Sequence, residues 1–245
     1  MAKGESHRNE LMGQALSWGV HILTASGAVL GAFSLVCIAT NRLGWAVLLM
    51  LAALVVDSVD GTLARAARVT EFVPQIDGRR LDDMVDYVNF VIVPAFFIWA
   101  AGSIVHVAWL AVPVFASSYG FSRVDAKTED DFFLGFPSYW NVLAIYLWLL
   151  EVDPIGGTLW VAGLSIAVFV PFKYIYPSKV RPLSLRIWLG IGAVVWTAAL
   201  VACVLWPTET SRFFLLEASL AYPVWYLALS FKLGGFVRGG NHIAS

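Results

Sequence analysis

Asp57 and Asp60 stand three residues apart, and Asp82 and Asp86 four apart, within a stretch from Val55 to Phe90 that holds six aspartates between long apolar runs. On a helix, each pair shares one face. If the two helices are neighbours, four carboxylates converge at one mouth of the pair. Left alone they repel, and burial favours their protonated forms. One or two hard divalent cations with oxygen-ligand chemistry, Mg²⁺ or Mn²⁺, relieve both problems. Charge is costly at membrane depth, so a cluster of this kind is a functional site by expectation. Around it, Gly61 and Gly78 leave room for a ligand, Ala64 is similarly small, and Arg65 offers a guanidinium suited to phosphate.

The elements that must position these residues are membrane helices. Hydrophobic residues make up 59% of the 245-residue chain and charged residues 13%, against about 25% charged in soluble domains. Strand-like alternation is absent, so the expected class is all-α, a polytopic integral membrane protein. The hydropathy pattern predicts eight spans, at about 20–40, 43–64, 80–102, 104–122, 138–152, 155–176, 186–206 and 213–233. Residues 1–19, with Leu11, Met12, Ala15, Leu16 and Trp18 as an apolar stripe, read as a short N-terminal interfacial helix. With the N-terminus inside, only Arg42 and Arg212 of the 16 Lys and Arg residues fall on the outer side. This asymmetry places both termini and the aspartates in the cytoplasm. Cys37 and Cys203 lie in apolar runs and read as buried hydrophobes, and Gly27 and Gly31 as a close helix contact.

The pattern Asp57-x-x-Asp60-Gly61-x-x-Ala64-Arg65, then Gly78-x-x-x-Asp82-x-x-x-Asp86, resembles the signature of the CDP-alcohol phosphotransferases. These membrane enzymes join an alcohol to a phosphatidyl group and release CMP. The gap of twelve residues between Arg65 and Gly78 is longer than the family's commonest spacing. That gap and the segment Phe132 to Asn141 are similar to the branch that condenses CDP-diacylglycerol with choline. The resemblance implies one membrane domain over 1–245: the interfacial segment 1–19, a transferase core over 20–176, and two additional C-terminal helices in 177–245.

It also implies roles. Asp57, Asp60, Asp82 and Asp86 hold Mn²⁺ or Mg²⁺, two ions in all, with Asp86 also the general base on the incoming hydroxyl. Gly61, Ala64, Arg65, Gly78 and Thr24 seat the nucleotide, although a packing role suits Thr24 as well. CDP-diacylglycerol and choline are the substrates, membrane lipid the surroundings, a homodimer the implied assembly, and a bacterial inner membrane the location; nucleic acid is not among the partners. Choline is held by aromatic faces, for which Tyr87, Tyr119, Tyr139 and Trp140 are the candidates. Asp77 reads as a helix start, Asp83 as pointing away from the cluster, and Thr128 to Asp131 as a solvated loop. Arg79, Arg80, Arg123, Lys173, Lys179 and Arg181 could meet lipid phosphate or simply follow the inside-positive bias. Three alternatives stay open: a serine, glycerol phosphate or inositol phosphate acceptor; a membrane prenyltransferase, since Asp82 to Asp86 also reads DDxxD; and a cation transporter.

Overall fold

In a computed structural model, residues 2–236 are described, with side chains from His7 onward. Arg238, counted above among the inward-facing cations, lies outside this range. The chain forms two compact units. One takes the sequence up to Gly102 together with Trp140–Trp148; the other takes Ser103–Tyr139 and the sequence from Leu149 onward.

The first unit opens with α1 (Ala2–Ala39), followed by α2 (Leu43–Ala67), α3 (Val69–Phe72), α4 (Gly78–Tyr87), a π-helical turn (Val88–Ile92) and α5 (Val93–Ala100). It also takes all but the last residue of α7 (Trp140–Leu149). Asn41 makes the tight turn between α1 and α2 in the left-handed region, at φ 56°, which asparagine tolerates better than most residues. Arg68 ends α2 in the same conformation, at φ 54°. Asp77 caps α4 by accepting the Arg80 N–H at 3.1 Å, the helix-start role expected of it. The π turn falls just before Pro94. Proline has no N–H and its ring crowds the carbonyl four residues back, so the α ladder cannot run unbroken through Phe90.

Three serine and threonine hydroxyls set α1 and α2 antiparallel. Ser17 donates to the Ala67 carbonyl at 3.3 Å, Thr24 to Asp60 at 2.8 Å and Ser34 to the Ala46 carbonyl at 3.2 Å. Glycines bring α1 against the third span in parallel. A Cβ on Gly27 would lie 2.8 Å from Val85 Cγ1, and one on Gly31 only 2.6 Å from Asn89 Oδ1. The small-residue pair thus serves the close packing expected of it. Gly31→Ala is expected to lower stability by about 1–3 kcal/mol through overpacking. Thermal unfolding in detergent checks this, and an unchanged midpoint counts against the contact. The core of this unit is apolar and fully buried around Val47, Leu51, Val91, Phe97, Trp140 and Ile145.

In the second unit, a 3₁₀ turn (Val107–Leu110) leads into α6 (Ala111–Ser122), which packs on α8 (Pro154–Phe169). Strands β1 (Phe132–Leu134), β2 (Phe172–Ile175) and β3 (Gly235–Phe236) form an antiparallel sheet with Phe132 opposite Ile175 and Phe172 opposite Phe236. The helices α9 (Leu183–Leu205), α10 (Pro207–Ser211), α11 (Leu215–Ser219) and α12 (Ala221–Leu233) complete it. Tyr226 donates to the Ile175 carbonyl at 2.9 Å and Ser230 accepts the Ile175 N–H at 3.2 Å, tying α12 to β2.

The helical membrane class holds, with two corrections. Four segments among the described residues are long and apolar enough to span: His7–Ala39, Leu43–Ala67, Gly78–Ala100 and Leu183–Leu205. The other four expected spans are shorter or broken. At ~1.5 Å per residue, the 10-residue α7 covers about half of a ~30 Å hydrocarbon core. The sixth expected span stops at Phe169, because Val170 precedes Pro171 and takes an extended conformation, leaving Phe172 to Ile175 as a strand. Phe214, left-handed at φ 49°, breaks the eighth. The second correction concerns the N-terminus: α1 runs unbroken from Ala2 to Ala39, so no join separates an interfacial helix from the first span. Nothing between Gly13 and Val20 is a helix breaker beyond two isolated glycines, and Leu11, Met12, Leu16 and Trp18 remain exposed along its side.

Candidate active site

The carboxylates fall into two sets. Asp57 on α2 and Asp82 and Asp86 on α4 converge, each offering one oxygen so that all three lie within 4.8 Å of one another. All are half-buried. Antiparallel hairpin geometry explains this: the α2–α3–α4 connection is short, so the end of α2 lies beside the start of the third span, and the three- and four-residue spacings turn the acids to the same side. Such a donor set fits a hard divalent cation, with oxygen ligands of high negative charge in a partly desolvated pocket.

Asp60 is different. It is 5% exposed, accepts the Thr24 hydroxyl at 2.8 Å through Oδ2, and also accepts a backbone N–H from Gly61. Thr24 is therefore committed to the carboxylate. Both residues line a narrow cleft with Gly27, Asp57, Asp86 and Asn89, so Asp60 faces the same space as the converging set without being one of its three members.

The small residues around the cluster are not equivalent either. A Cβ on Gly61 would meet nothing nearer than Arg65 Nη1 at 3.6 Å. The packing of the fold therefore does not by itself require a glycine there. Ala64 is half-buried one turn along from Asp60, and Arg65 is exposed, its guanidinium donating to Thr62 Oγ1 at 3.1 Å. Gly78, by contrast, is packed: its Cβ position lies 3.3 Å from His21 Cε1.

The four aromatic candidates are divided between the units. Tyr87 follows Asp86 directly and is half-buried, and Trp140 is wholly buried in the first unit's core. In the second unit, Tyr119 is exposed and stacks near Phe169, while the half-buried Tyr139 meets the rings of Phe136 and Tyr226. Several charges considered above prove to be paired. Arg123 grips Asp125 through two hydrogen bonds of 2.8 and 2.7 Å, Lys173 donates to Asp130 at 2.6 Å, and Lys179 lies 3.6 Å from Asp131. The hydrogen bonds from Lys173 and Thr128 hold the Asp130 carboxyl below its ordinary range. Asp83 is half-buried, outside the converging set, and Arg79 and Arg80 are exposed.

Two buried polar residues stand out beyond the sequence expectations: Asn89, which lines the cleft, and His21, one of four histidines that show no ligand pairing in the sequence. Asn89, 4% exposed, donates its amide to the Gly27 carbonyl at 2.9 Å and the Val85 carbonyl at 3.1 Å, stapling α1 to the third span. Its signal was an amide inside an apolar run three residues after Asp86, a position where partners are obligatory. His21, 5% exposed, packs edge-on against Trp18.

Comparison with known proteins gives a consistent result. The family model described as CDP-alcohol phosphatidyltransferase matches residues 21–225. A protein named phosphatidylcholine synthase from Legionella bozemanae is 37% identical over 212 residues, covering 83% of this chain and 97% of the relative. One of the same name from Legionella pneumophila is 36% identical over 88% of this chain and 87% of its own length. A third, from Borreliella burgdorferi, is 37% identical over 69% of this chain and 73% of its own.

Proposed function

Since the chain belongs to the CDP-alcohol phosphatidyltransferase family, we propose that it transfers the phosphatidyl group of CDP-diacylglycerol to the hydroxyl of choline, giving phosphatidylcholine and CMP. The observation that carries the reading is the convergence of Asp57, Asp82 and Asp86, of which Asp57 and Asp86 line a cleft together with Asp60. The acceptor is supported by the relatives named phosphatidylcholine synthase, which are 36–37% identical over most of the sequence.

In this mechanism Asp57, Asp60, Asp82 and Asp86 would hold Mn²⁺ or Mg²⁺, two ions in all. When bound, the cations neutralise charge on the diphosphate and on the departing CMP. Asp86 takes the proton from the choline hydroxyl, and the freed oxygen forms its bond to the phosphorus that carries diacylglycerol. The bond from that phosphorus to the bridging oxygen breaks, and the electron pair leaves with CMP. An alcohol is a poor nucleophile at neutral pH, so a carboxylate within hydrogen-bond reach is what makes the attack feasible. Thr24 holds Asp60 in one orientation, which limits rearrangement as substrate enters. Gly61 and Ala64 leave the surface low where the nucleotide lies, and Arg65 meets its phosphates.

The quaternary ammonium is held by aromatic faces drawn from Tyr87, Tyr119, Tyr139 and Trp140, of which Tyr87 is next in the chain to the proposed base. The site opens to the cytoplasm of a bacterial inner membrane, in a homodimer whose transferase core spans 20–176.

A panel of labelled alcohols tests the reaction with purified protein, CDP-diacylglycerol and Mn²⁺. Labelled lipid and stoichiometric CMP from choline, and not from serine, glycerol phosphate or inositol phosphate, is the expected result. Product from another alcohol alone refutes the choline assignment. No CMP with any acceptor, from a well-folded protein, refutes the transferase.

A further inference from the structure

His21 is 5% exposed, and its Nε2 is buried without a hydrogen-bond partner. A buried polar nitrogen left in that condition is costly, and native structures rarely keep one without a reason. Its place in the fold supplies the reason. The pairs Ser17 with Ala67 and Thr24 with Asp60 fix the antiparallel register of α1 on α2. By that register His21 is level with Leu63, between Gly61 and Arg65. On the other side, Gly27 faces Val85 and Gly31 faces Asn89, and His21 lies against Gly78 at the first turn of α4. The imidazole therefore sits one helical turn outward from Asp82, at the height of the small residues Gly61, Ala64 and Gly78.

CDP-diacylglycerol enters this arrangement in one direction only. Its acyl chains lie in the bilayer and its diphosphate lies at the carboxylates, so its nucleoside extends outward, toward the start of α4. From this placement, which rests on the transferase reading above, we infer that His21 Nε2 is a hydrogen-bond partner of the cytidine moiety. The base edge and the ribose both offer donors and acceptors, so either tautomer of the imidazole finds a match. Substrate binding thus satisfies a nitrogen that the protein leaves unpaired.

The test uses full-length protein in detergent with Mn²⁺, comparing CDP with inorganic pyrophosphate as ligands by calorimetry. His21→Phe keeps an aromatic ring in the site and removes both nitrogens. It is expected to weaken CDP binding about tenfold, the value of one buried hydrogen bond, and to leave pyrophosphate affinity within about twofold. The KM for CDP-diacylglycerol rises with it while the KM for choline does not. His21→Gln, which returns a polar atom near Nε2, recovers part of the CDP affinity. An unliganded melting temperature at or above that of the wild type accompanies the Phe variant, because an unsatisfied nitrogen has been removed. Should Phe prevent folding, His21→Leu makes the same comparison. Wild-type CDP affinity in either apolar variant overturns the inference, as does an equal loss for pyrophosphate. Wild-type protein that binds pyrophosphate but no CDP overturns the transferase reading itself, and His21's role with it.

Discussion

Asp86→Asn lowers turnover about 10²–10⁴-fold, the usual worth of a positioned general base, while CDP binding remains measurable. The amide matches the carboxylate in shape, so the packing of α4 on α1 and α2 is retained, but it cannot accept the choline proton. Asp86 also belongs to the converging set with Asp57 and Asp82, so the substitution removes a ligand as well as a base. Raising Mn²⁺ separates the two losses: a weakened cation site refills, whereas a missing base does not. CMP release in a single turnover, at saturating Mn²⁺ and CDP-diacylglycerol, is the measurement. A variant restored to wild-type turnover by excess Mn²⁺ leaves Asp86 as a ligand only.

The second large effect is on the cluster as a whole. EDTA abolishes turnover, and Mn²⁺ or Mg²⁺ restores it. Three carboxylate oxygens within 4.8 Å of one another are held together at a Coulombic cost unless positive charge or protons offset it. Filling the site therefore stabilises the fold as well as the reaction, because a ligand bound only by the native state raises the unfolding free energy. The melting temperature is expected to climb with Mn²⁺ in the unmodified protein and much less in Asp57→Asn, Asp82→Asn double variants. Activity that survives exhaustive chelation contradicts the metal assignment. A Mn²⁺-dependent rise of the same size in the double variant contradicts the ligand set.

The sequence displayed the cluster because helical periodicity is a local property. Three- and four-residue spacings place side chains on one face whatever the rest of the fold does, and the short connection after α2 brings the second pair alongside. What it could not display is the difference between Asp60 and the other three, since that depends on the Thr24 hydroxyl of a helix 36 residues earlier. Span lengths were misread for a related reason. Hydropathy marks apolar stretches and is blind to their backbone, so Phe172 to Ile175 counted toward a span although Pro171 had already ended the helix. The sheet formed by β1, β2 and β3 joins strands from distant parts of the chain, and strands of two to four residues leave no alternation to detect. His21 and Asn89 were passed over because their burial follows from which helices meet at Gly78, Gly27 and Gly31.

The π turn at Val88–Ile92 has a consequence for how such a chain can change in length. One residue added to a regular transmembrane helix rotates everything beyond it by about 100°, turning its buried face toward lipid. A π turn absorbs one extra residue locally and lets the helix on either side keep its phase. The aspartates before it and the buried face of Val93 to Ile98 after it are thus decoupled in register. A one-residue deletion that would be ruinous elsewhere in this span can be absorbed here, by return of the π turn to α.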